Sequence, residues 1–127
     1  EVRVTLPRPD NALDAMQCAD VLVDAASREP IRFAAGEPAI PPPATPALES
    51  LADIVRRCGE VPIRVVHSAP AGDHPDQARA LAAERARLIA QAILSRGATA
   101  RITTAGSAAA GSDVGPAGRT QFEVGQP

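Results

Sequence analysis

One cation stands where an apolar side chain is expected. From Asp76 to Ser95 the sequence reads as the longest helix, and Leu81, Leu88, Ile89, Ala92 and Ile93 fall in one apolar sector of it. At about 100° per residue, Arg85 lies about 40° from Leu81, in the middle of that sector, whereas Arg87 points to the opposite, solvated face. A guanidinium near a core is costly unless a carboxylate or several acceptors meet it. Two roles are open for Arg85. It bends out to water or pairs with a nearby Asp as a structural tie, or it lines a pocket beside the loop 68–75 and receives a ligand carboxylate in its bidentate fork.

The other chemistry-bearing residues give weaker signals. His67-Ser68 is the composition of a base and a nucleophile, but adjacent strand residues point to opposite faces. With no G-x-S-x-G elbow and no orienting third group, hydrolysis is not expected. His67 and His74 are too few, without a defined carboxylate, to read as a metal site. The glycines between Gly106 and Gly118 come without a Lys and without strand–loop–helix order, so they are no phosphate cradle. Asp73 and Asp76 read first as a solvated turn residue and as a helix-start charge favoured by the dipole. Arg56 and Arg57 sit in a last helical turn, where they complement that dipole. Cys18 and Cys58 are not a CxxC pair, which leaves two buried thiols or one disulfide. A bridge would imply an oxidising compartment.

Composition removes whole classes of ligand. In 127 residues there are two Phe and no Trp or Tyr, so stacking platforms for bases lose their usual equipment. The net charge of -2 removes the electrostatic case for nucleic acid. The length suits one domain, and a hydrophobic fraction of 45% suits a packed core. All 13 basic residues are Arg and Ala is heavily used, which reads first as coding bias. A start at Glu1 without Met fits a mature form or an excised fragment, and no stretch approaches the length of a membrane span.

The elements that must position these residues follow from periodicity and turn residues. Residues 1–6 (EVRVTL) alternate as a short strand closed by Pro7 and Pro9. Asp10 or Asn11 would cap a helix to about Ala26, with Leu13, Met16, Val21 and Leu22 apolar. Ile31 to Ala34 is a brief strand with Ile31 and Phe33 on one face, and Gly36 turns the chain. Pro41 to Pro46 is a stiff connector. There Thr45, followed by Pro46, reads as the N-cap of a helix bearing Leu48, Leu51, Ile54 and Val55 and ending near Gly59. Val61 to His67 is a β-branched strand, Ser68 to Pro75 a polar loop, and Ala100 to Thr104 another strand. Ala105 to Gly118 reads as a loop and Thr120 to Val124 as the last strand. The alternation predicts an α+β fold with helices packed on one face of a mixed sheet.

The order Ile31-x-Phe33-x-x-Gly36, a helix, a strand ending in His67-Ser68, Gly72, then Leu81-x-x-x-Arg85-Ala86 and Arg101-Ile102-x-x-x-Gly106 resembles the OmpA-like C-terminal domain of bacterial envelope proteins. That family shows I-x-F-x-x-G, G-H-T-D-x-x-G, N-x-x-L-S-x-x-R-A and R-I-x-x-x-G. The resemblance runs from about Cys18 to Val124. It implies an OmpA-like two-layer β/α sandwich over 18–127, preceded by a strand and lead-in at 1–17. It also implies a disulfide between Cys18 and Cys58, as in some envelope members.

The family's activity is non-covalent association with peptidoglycan through the diaminopimelate of the stem peptide. The motif's Arg corresponds to Arg85, which would take the carboxylate. The motif's Asp, which takes the ammonium, corresponds to Ala69; its Gly, Asn and Ser correspond to Val66, Ala78 and Ala82. One extra residue lies between Gly72 and Leu81. Losing the carboxylate weakens such a site by about 1.5 to 3 kcal/mol, unless Asp73 or Asp76 substitutes. The candidate ligand-binding set is therefore Arg85, His67, Ser68, Asp73 and Asp76. The expected function is a non-enzymatic domain, without cofactor or metal, in the periplasm or another extracytoplasmic envelope compartment. Within a longer protein it could carry an outer-membrane or other membrane anchor. Its partner is peptidoglycan or, if the ligand site has been lost, other envelope proteins; nucleic acid is not expected.

Overall fold

The computed structural model describes residues 13–110, 114, 115 and 117–125. The expected strand at 1–6, the Pro7/Pro9 stop and the caps at Asp10 and Asn11 lie outside them. Among the described residues the first helix, α1 (Ala15–Arg28), is instead capped by Asp14. The Asp14 side chain accepts from the Gln17 N–H at 2.8 Å and the Gln17 side chain accepts from the Asp14 N–H at 3.1 Å, a reciprocal capping box. Helix α2 (Thr45–Cys58) follows a 3-10 turn at Pro42–Ala44. Pro46 holds its expected place in the first turn, but the N-cap is Ala44. The Thr45 hydroxyl donates back to the Pro42 carbonyl at 2.9 Å, so it serves the turn before the helix.

Three strands, β1 (Pro62–Pro70), β2 (Arg101–Ala109) and β3 (Arg119–Val124), form a mixed sheet in the order β2-β1-β3. β1 pairs parallel with β2 and antiparallel with β3. Between β1 and β2 runs α3 (Pro75–Leu94), the crossover that parallel pairing requires. Ile63, Val65, His67 and Ala69 are buried on the helix-facing side of β1, and the intervening residues are less so. The fold is thus α+β, two layers, with the helices packed on one face of the sheet.

Two strands are longer than the sequence suggests. Ser68, Ala69 and Pro70 continue β1, so the loop before α3 spans only 71–74. Residues 105–109 continue β2 where a loop is expected. These added stretches are Ala, Gly, Ser and Pro, residues of poor strand propensity, and what holds them is close packing under α3. A Cβ at Gly106 would run into the backbone of Ala82 and Ala83, so the helix lies on the sheet with no side chain between them at that point. The Ala-rich face of α3 is therefore a packing requirement as well as a compositional habit.

Ile31 to Ala34 forms no strand among the described residues, although Ile31 and Phe33 are both buried as expected. Met16, counted among the apolar positions of α1, is 77% exposed; Cys18 and Leu22 are the side chains that α1 buries fully. Cys18 and Cys58 form a disulfide with a Cα–Cα distance of 5.7 Å, tying the first turns of α1 to the end of α2. No helix among the described residues is long and apolar enough to cross a membrane.

Candidate functional site

Arg85 projects from the middle of α3 into the core and has no solvent exposure. Its neighbours explain how a charge is tolerated there. Nε donates to the Glu37 carbonyl at 2.8 Å and one terminal nitrogen to the Ala34 carbonyl at 2.9 Å. The other terminal nitrogen meets His67 Nε2 at 3.3 Å and the Ala117 carbonyl at 3.4 Å. The guanidinium carbon lies 4.7 Å from the centre of the Phe33 ring, a cation–π distance. One side chain thereby holds the 34–37 turn, the segment before β3 and the middle of β1. Burial lowers the Arg85 pKa from its usual value, yet an arginine keeps its charge in proteins.

His67 completes the centre. It is fully buried on β1, edge-on to Phe33 with ring centroids 5.1 Å apart. Nδ1 is 2.9 Å from the Thr120 hydroxyl on β3. Because Nε2 faces an arginine donor, it accepts, which places the ring proton on Nδ1 and makes His67 the donor to Thr120. Burial first, and the Arg85 charge second, lower its pKa from 6.5 to about 4, so the ring is neutral near neutrality. Gly118 fits against this ring in a left-handed conformation (φ +74), and a Cβ there would strike both the imidazole and the Ser68 carbonyl. Only glycine meets both demands.

The other expected ligand residues are placed elsewhere. Ser68 points to the opposite face of the sheet from His67 and shares a hydrogen bond with Ser107 at 2.8 Å. Asp76 is exposed in the first turn of α3 and pairs with Arg79 at 3.0 Å. Asp73 lies exposed in the loop between β1 and α3, on the rim of a shallow cleft of about 570 Å³ lined by Gly36, Pro70, Gly72, His74, Ala78 and Leu81. Arg85 lies one turn beyond Leu81, behind that wall. Ala69, Ala78 and Ala82 pack against one another with Leu81 and Ala108, so these three positions carry no polar side chain.

The structure thus brings Arg85 and His67 together and adds Phe33, Thr120, Gly118 and three backbone carbonyls that sequence reasoning did not include. The scarcity of aromatics was a usable signal, since one of only two Phe stands against the buried cation. His67 and His74 do not converge, and no group of three His, Cys, Asp or Glu that could hold a metal ion occurs among the described residues. No protein-family model matches the chain, and no curated protein matches it either.

Proposed function

We propose that this chain is a non-catalytic, OmpA-like domain of the cell envelope in which the ligand centre has become a structural lock, and which works as a protein-interaction or structural module. The observation that carries the reading is the state of Arg85: wholly buried, with its donors directed at the carbonyls of Ala34, Glu37 and Ala117 and at His67. A ligand carboxylate would have to displace those acceptors and open the core. The alanine cluster of Ala69, Ala78 and Ala82 supports the same reading, because it offers an incoming ammonium no acceptor side chain. The Cys18–Cys58 bridge supports an extracytoplasmic location, where disulfides persist.

A second reading, association with peptidoglycan through a diaminopimelate-type stem peptide, is favoured by one feature. The cleft beside Asp73 is open and borders the Arg85 centre through Leu81 and the 34–36 turn. Titration of the labelled domain with a diaminopimelate-containing muropeptide, followed by backbone NMR shifts, separates the two. The lock reading expects no shifts at Ala34, His67, Arg85 or Thr120. Saturable shifts there, abolished by Asp73→Ala, would establish the wall-binding reading instead.

A further inference from the structure

We infer that the outer edge of β3 is a self-association surface that pairs antiparallel with β3 of a second copy of this chain. β3 lies at one end of the sheet order, and its backbone parity can be read from its other side. The Gly125 N–H donates to the Pro62 carbonyl at 2.9 Å, and in an antiparallel ladder inward-bonded residues alternate with outward ones. Arg119, Gln121 and Glu123 therefore bond to β1, while the backbone groups of Thr120, Phe122 and Val124 point outward. Among the described residues no backbone partner meets these outward groups. A free edge of this kind is a template for another strand, and nothing in the sequence from Arg119 to Val124 blunts it with a proline.

The charges select the occupant. Edge charges ordinarily oppose strand addition, but here Arg119 and Glu123 stand two residues on either side of Gln121, and Glu123, 3.4 Å from Arg64 of β1, still has 60% of its side chain exposed. An antiparallel copy related by a twofold axis through Gln121 sets Arg119 against Glu123 of the partner subunit, and the reverse contact repeats it. The same register sets Thr120 against Phe122 of the partner subunit, both with outward backbone groups, as hydrogen-bonded pairing demands. Charge and hydrogen-bond parity thus agree on one register.

The flank of the edge is suited to being covered. A groove of about 560 Å³ runs along this edge, between β3 and a wall made by the end of α1 and the segment 29–31, lined by Val23, Ala26, Glu29, Pro30, Ile31 and Phe122 among others. Val23 is 55% exposed, and Met16, two turns back on the same side of α1, is also exposed. A second copy would continue the three-stranded sheet to six strands and cover Val23 in the groove. The inference stands on β3 and its flank, so it holds whether or not the cleft beside Asp73 takes a ligand.

Sedimentation velocity over a micromolar-to-millimolar concentration series tests it, with circular dichroism confirming that each variant is folded. The chain should show a concentration-dependent dimer. Arg119→Glu, which replaces two attractive cross-strand contacts by two repulsive ones, should weaken it about ten- to a hundredfold. The triple variant Arg64→Glu/Arg119→Glu/Glu123→Arg, which also reverses the Arg64–Glu123 pair, should restore it. A monomer at every concentration overturns the inference, whether the edge then stays open or is covered by residues 1–12 of the same chain. A dimer indifferent to Arg119→Glu, or one that the triple variant fails to restore, overturns it as well.

Discussion

Acid should unlock the His67 centre before it protonates most carboxylates. His67 is neutral in the folded state with a pKa of about 4, while in the unfolded chain it takes the ordinary value near 6.5. Between those values the unfolded chain binds the extra proton, so stability falls as pH falls. Above about pH 6.5 both states are neutral at this site and its contribution is flat. The loss attributable to His67 then grows to about 2 kcal/mol at pH 5 and about 3 kcal/mol at pH 4. The cause is local: a protonated ring would lose the Nε2 acceptor for Arg85, 3.3 Å away, and set a second cation against a buried one. Urea unfolding of the parent and of His67→Gln at intervals from pH 7 to pH 4 isolates the effect, because exposed carboxylates titrate alike in both. The difference between the two stability profiles should fall with close to one proton's slope, about 1.4 kcal/mol per pH unit at its steepest. Parallel profiles, differing by less than about 0.5 kcal/mol in shape over that window, would refute the placement of a neutral His67 against Arg85.

Three further outcomes follow from the same contacts. Gly118→Ala places a Cβ against the His67 ring in a left-handed backbone and should cost more than about 2 kcal/mol. A thermal transition unchanged from the parent would contradict that packing. Replacing both Cys18 and Cys58 by Ala removes a bridge closing a 40-residue separation, and unfolding free energies should fall by about 2–4 kcal/mol. Equal stability of the oxidised parent and the variant would deny the bridge its role. Gly106→Ala should separate α3 from β2, where a Cβ has no room, and should raise amide exchange at the 105–109 end of β2; unaltered protection there would show the contact to be loose.

Much of this arrangement was legible in the residues because the physical signal was local. The helical stripe of α3 identified Arg85 as a cation on a buried face, and the helix end marked by Gly59 fell where expected. The β-branched run from Val61 to His67 located most of β1, but not the full burial of His67. What escaped was set by distance in the chain. The extension of β2 through Ala109 depends on α3 lying close over Gly106, which no local propensity encodes. Thr45 is the local exception, its hydroxyl donating to the Pro42 carbonyl three residues back instead of capping the helix. Ile31 and Phe33 alternate as a strand does, yet Phe33 is placed by Arg85 and His67 rather than by a ladder. The acceptors of Arg85 are mostly backbone carbonyls, which carry no signature in side-chain identity.

The claim that Arg85 locks the fold is tested most directly by the unfolding free energy of Arg85→Ala, measured together with muropeptide binding of the same variant. Removing the guanidinium leaves the carbonyls of Ala34, Glu37 and Ala117 and the acceptor nitrogen of His67 without that donor inside the core. The account predicts a loss of about 3–5 kcal/mol, a large share of a domain's usual margin, with no muropeptide binding to lose. A variant as stable as the parent to within about 1 kcal/mol that has lost a measurable muropeptide affinity would contradict it.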